Sequence, residues 1–90
     1  MSQPTEAELQ TALKAAARMR ETGQDPLFLG KALLHCHYLN GLLEEVLAAA
    51  EAYLHSGMAE REHARLEKAV ERVRAAERRA ARQEPPPLGL

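Results

Sequence analysis

Residues 26–56 hold most of the large apolar side chains of this chain and read as one long helix, so they constrain the fold more than any other stretch. At about 100° per residue, Leu29, Leu33, Cys36, Leu39, Leu42, Leu43, Val46, Leu47, Tyr53 and Leu54 share one arc with several alanines, and Leu34 and Tyr38 widen it. The arc covers roughly half the circumference or slightly more, whereas a helix with a single neighbour needs only a ~100° stripe. A central helix that touches two others is the expected result. His37, Gly41, Glu44, Glu45, Ala48, Glu51 and His55 form the opposite, mostly polar face. Within the arc, Leu39, Leu43, Val46 and Ala50 make the stripe that a third helix should cover. Phe28, Leu34, Tyr38 and Leu42 are offset from it, and a small first helix leaves them bare. They are the expected partner-binding residues, because contiguous exposed apolar surface marks an interface.

The flanking segments supply the other two helices. Thr5 caps a first helix to about residue 21, with Glu6 and Glu8 facing the positive end of its dipole, and Gly23 stops it. Asp25 as cap and Pro26 at the first helical position open the central helix; Gly30 inside it marks a close approach or an early break that would set residues 27–29 apart as a short turn. Ser56 and Gly57 end it. A third helix follows, with Leu66, Ala69, Val70, Val73, Ala76 and Ala80 inward, until the prolines at 85–87 stop it. The expected architecture is all-α, up-down-up, with helices over about 5–21, 26–56 and 59–83 in a single domain, 1–83, and a disordered Pro-rich tail, 84–90. Ala and Leu make up most of the apolar content and only Phe28, Tyr38 and Tyr53 are aromatic. So thin a core favours self-association or a protein partner, and a pair of chains would complete a larger bundle.

Charge and motifs exclude more than they select. A formal net charge of -1 gives no global pull toward nucleic acid or anionic membrane. No apolar run approaches the ~20 residues of a membrane span, and the opening residues lack the pattern of a signal peptide. A cytoplasmic protein is expected, and Ala- and Arg-rich usage with few Lys suits a GC-rich bacterial genome. Cys36, the one cysteine, falls in the apolar arc and is expected as a buried structural thiol. No phosphate loop, His-Glu-x-x-His or nucleophile with an evident base is present, so no catalytic residue, cofactor or small-molecule substrate is expected. His35, Cys36 and His37 point about 100° apart on a helix and do not make a metal site. His37, Asn40 and Glu44 do have helical spacing, and a metal-dependent enzyme completed by a symmetric partner is the alternative they carry against the ordinary reading of a solvated face. His55 and His63 flank the turn at Gly57, with His63 expected half-buried.

The third helix carries the strongest electrostatic pattern. Arg61, Arg65, Lys68, Arg72 and Arg79 lie on one flank, and Glu60, Glu67 and Glu71 on the other, before Arg74 and Arg78 make both flanks basic. Read functionally, Arg61, Arg65, Lys68, Arg72, Arg78, Arg79 and Arg82 form a basic ridge for nucleic-acid phosphates. Interleaved acids and the lack of a stacking aromatic favour the other reading, in which Arg65 and Lys68 pair with Glu44, Glu45 or Glu51 of the central helix.

From Tyr53 the chain reads Y-L-H-S-G-M-A-E-R-E-H-A-R-L-E-K-A-V-E-R-V-R-A-A-E. With Leu54, Gly57, Met58, Glu62, His63, Leu66, Ala69 and Ala76 as the matching positions, residues 53–77 resemble the helical hairpin of the small type III secretion co-chaperones that hold the needle subunit in the bacterial cytoplasm. The resemblance implies an adaptor that works by binding protein. Ala59 departs from it, standing where that family usually has a capping Ser or Thr. As a whole the chain also looks like other small helical proteins of Proteobacteria, from which no activity carries over.

Overall fold

The computed structural model describes residues 2–83. Among the described residues the fold is all-α, as expected, with α1 at Glu6–Thr22, α2 at Leu29–His55 and α3 at Glu60–Gln83, and no strand. The expected tail at 84–90 lies outside the described residues. Two compact units share the helices, and the boundary between Tyr38 and Leu39 falls inside α2.

In the first unit, α1 starts on a complete capping box. Thr5 Oγ1 accepts from the Glu8 amide at 3.1 Å while Glu8 Oε1 accepts from the Thr5 amide at 2.7 Å, so two donors left over by the helix start are satisfied at once. Gly23, at φ 73°, ends the helix by donating its amide to the Arg20 carbonyl, a left-handed stop open to glycine without penalty.

The start of α2 lies three residues later than expected, at Leu29 rather than Pro26. Its cause is Phe28, which sits in the left-handed region at φ 57°, so that residues 26–28 form a turn and cannot continue a right-handed helix. The Phe28 amide closes that turn on the Asp25 carbonyl at 3.1 Å. Asp25 caps the helix all the same, from further away. Its carboxylate is buried and accepts from the Gly30 amide at 2.9 Å, the Lys31 amide at 3.0 Å and Arg20 Nη1 at 3.2 Å. The Gly30 amide, joined by the Lys31 amide and the Arg20 guanidinium, holds the Asp25 carboxyl below the usual carboxylate range against the opposing effect of burial. Gly30 has to be glycine here: a Cβ would meet the Ala16 carbonyl oxygen at 2.9 Å and Asp25 Oδ2 at 3.2 Å. Ala16 is buried in α1, so the close approach expected of Gly30 is made to that helix.

The second unit is the hairpin of α2 from residue 39 with α3. Its turn satisfies the last carbonyls of α2 in a Schellman arrangement: the Met58 amide donates to the Tyr53 carbonyl at 2.9 Å and the Gly57 amide to the Leu54 carbonyl at 3.4 Å. Gly57 and Met58 are both left-handed, at φ 71° and 65°. Ala59 offers α3 no side-chain cap, and Ser56 Oγ accepts its amide instead at 3.1 Å. Inside the hairpin Leu42, Ala49, Ala69 and Ala76 are buried, while Leu39, Val46, Tyr53, Leu66 and Val73 are half-buried. Among the described residues no large side chain is completely buried.

Candidate functional site

Because α2 and α3 pair largely through alanines, several of their larger side chains stand at the sides of the hairpin, and the sides differ. On one, Leu43 and Val46 of α2 and Val70 and Val73 of α3 line a shallow depression of about 210 Å³, rimmed by Arg74 and Glu77, which pair with each other at 3.4 Å. Leu43 is 52% exposed and Val70 40%; Leu47 and Leu54 continue the strip at helical spacing, 60% and 69% exposed. Nearby polar side chains are also paired within α3, Arg78 to Glu71 at 2.6 Å and His63 to Glu67 at 2.9 Å. The strip is apolar with a self-satisfied rim.

On the other side, a groove of about 630 Å³ has a floor of Ala48, Ala49, Ala64 and Ala69. Arg61, Arg65, Lys68 and Arg72 form one wall, and Glu45 stands on the other. Glu45 pairs with Arg72 at 2.9 Å, and Arg65 approaches Glu62 at 3.5 Å without giving its buried Oε2 a hydrogen bond. The expected pairing of α3 cations with α2 carboxylates is thus made, but by Arg72 and Glu45 rather than by Arg65 or Lys68. No family model, curated protein or solved structure matches the chain.

The four residues expected to face a partner are not alike. Phe28 is 62% exposed and Tyr38 50%, whereas Leu34 is half-buried and Leu42 is buried. The uncovered edge of the α2 arc in the hairpin therefore runs through Leu43 and Leu47, and Leu43 is more exposed than its expected place under α3 allows. In the first unit Leu27 and Leu29 join Phe28 as exposed apolar residues around the left-handed turn. Cys36 is exposed, which corrects the expected buried thiol: along this part of α2 the buried and half-buried positions are Gly30, Leu33 and Leu34, and Cys36 points away from that face.

The remaining candidate residues stay at the surface. His37, Asn40 and Glu44 are exposed, and Asn40 Nδ2 donates to Glu44 Oε1 at 3.2 Å. Among the described residues no three His, Cys, Asp or Glu side chains gather as metal ligands would. His55 Nδ1 donates to the Glu51 carbonyl at 2.8 Å, and the His63 ring, exposed rather than half-buried, tilts against Tyr53 at 5.6 Å. Arg78, Arg79 and Arg82 are exposed beyond the groove. No helix among the described residues is long and apolar enough to cross a membrane.

Proposed function

We propose that this protein works by binding protein, a second copy of itself first, through the strip formed by Leu43, Leu47 and Leu54 of α2 and Val70 of α3. One observation carries the reading: the hairpin buries three alanines and Leu42 but leaves Leu43, Leu47 and Leu54 in water. Full burial of a leucine is worth about 1.5–3 kcal/mol, so covering three of them matters to a small domain whose net stability is of order 5–15 kcal/mol. A second hairpin supplies a fitting cover, since two helix pairs packed face to face make a four-helix bundle. The strip's rim suits a copy of itself, because Arg74 with Glu77 and Arg78 with Glu71 present no excess of either sign. The likeness of residues 53–77 to a secretion co-chaperone hairpin supports an adaptor role, in which the strip passes from self-contact to a client.

Sedimentation velocity over a wide concentration range tests the proposal. Wild type should shift from monomer toward dimer as concentration rises, and Leu43→Arg with Leu47→Arg should remain monomeric at unchanged helicity. A wild-type protein that stays monomeric at the highest concentration defeats the reading.

A further inference from the structure

The opposite side of the hairpin carries an independent inference. We propose that the groove between α2 and α3 is a docking site for an acidic amphipathic helix of a partner protein. Arg61, Arg65, Lys68 and Arg72 are spaced so that they share one stripe of α3, rising roughly 16 Å along its axis at about 1.5 Å per residue. Against these four cations the groove sets one carboxylate, Glu45. Arg61 and Lys68 have no ionic partner among the described residues, Arg72 holds Glu45 at an exposed position where a competing carboxylate can enter, and Arg65, itself exposed, only approaches the buried Oε2 of Glu62. The excess charge calls for an anion.

The floor says what kind. Ala48, Ala49, Ala64 and Ala69 let a third helix lie close, near the lower end of the ~8–10 Å range of interaxial distances. A helix with Asp or Glu every three or four residues carries its carboxylates on a stripe of matching rise, with small side chains beside it to rest on the alanine methyls. Nucleic acid fits less well, because no aromatic side chain lines the groove to stack a base.

The probe is a labelled peptide of about 18 residues, or five helical turns, with glutamates at the 4-3-4 spacing in an alanine-rich background. Fluorescence anisotropy at low salt compares it with a glutamine version, a scrambled version of equal charge and an RNA duplex. The ordered peptide should bind at least tenfold more tightly than the other three, and severalfold more weakly once salt screens the contacts. Arg61→Gln and Lys68→Gln should each weaken it by about two- to fivefold. Ala64→Trp, at an exposed position, should block the groove while helicity is retained, and Lys68→Glu provides a second lesion that adds no bulk. Equal affinity for the scrambled peptide, tighter binding of RNA, indifference to Ala64→Trp and Lys68→Glu, or no binding at all would each overturn the proposal. Leu43→Arg with Leu47→Arg should leave peptide binding intact, so failure of this site and failure of self-association are read separately.

Discussion

The joint between α1 and α2 and the hairpin of α2 with α3 both bring helices together over small residues, but they are held by different chemistry. At the joint, Gly30 gives up its Cβ to the Ala16 carbonyl, and one buried carboxylate, Asp25, gathers two amides and a guanidinium. At the hairpin, Ala49 and Ala69 lie between the helices and the ion pairs stay on exposed rims. A polar hub fixes geometry with little apolar area, because each donor left unpaired on burial would cost about 1–3 kcal/mol. An alanine contact lacks that exactness and leaves the large side chains free for other surfaces. The joint is thus the more closely specified of the two contacts, although Leu27, Phe28 and Leu29 stand exposed beside it, and the hairpin is the looser one.

The two glycines within α2, one in each unit, break or sharpen this contrast most strongly. Gly30→Ala should destabilise by about 1–2 kcal/mol, since overpacking costs about 1–3 kcal/mol and the gain in helix propensity returns up to ~1; its Cβ has a backbone carbonyl at 2.9 Å that cannot swing away. Gly41→Ala should stabilise by up to about 1 kcal/mol, because nothing lies within 4 Å of the added Cβ. Thermal unfolding of the two variants should move in opposite directions, by roughly 4–8 °C per kcal/mol. A stabilising shift in both would mean that the joint is looser than its distances imply.

These glycines also mark how far local sequence carries. Stops at Gly23 and Gly57 and the cap at Thr5 follow from residue chemistry within one helical turn, and each is in place. The delayed start of α2 is different: nothing about a phenylalanine announces a left-handed backbone, and Phe28 adopts one because Asp25 reaches past it to the Gly30 and Lys31 amides. The choice between Leu42 and Leu43 is harder still. Neighbouring residues stand about 100° apart on a broad apolar arc, so periodicity admits either as the buried one, and the packing register of α3 decides. Cys36 leaves the surface or joins it by the same rule. In the groove, the kind of pairing between α2 and α3 follows from charge pattern, but the choice of Arg72 over Arg65 or Lys68 for Glu45 depends on axial register, which alanine-rich stretches hardly encode.

Acid should weaken the joint. The folded Asp25 carboxyl lies below the ordinary range, first because of the Gly30 amide, so its contribution to stability is fully present above the unfolded value of about 3.9 and is lost as pH falls through the folded one. Melting temperature followed from neutral pH down to about pH 3 should fall in wild type. Asp25→Asn should be less stable at neutral pH and should show a flatter acid limb. Its neutral-pH loss should be of the same order as that of Gly30→Ala, because an amide oxygen still accepts from one of the two helix-start donors while the other is left unpaired. An acid limb unchanged by Asp25→Asn would place the proton uptake elsewhere and remove the carboxylate from its role as hub.

The smallest effect belongs to the hairpin rim. Arg72 and Glu45 meet at 2.9 Å, but their side chains are 62% and 47% exposed, which leaves the pair open to water and salt. A double-mutant cycle with Arg72→Gln and Glu45→Gln should give a coupling of about 0.2–1 kcal/mol at low ionic strength, fading as salt is added. A salt-independent coupling of several kcal/mol would show the rim to be structural and would put the hairpin on the same footing as the joint. A weak coupling has the opposite meaning. It leaves Arg72 able to exchange Glu45 for a carboxylate from outside at little cost to the fold, and a cation that is cheap to release is what a charged groove needs if it is to receive a partner.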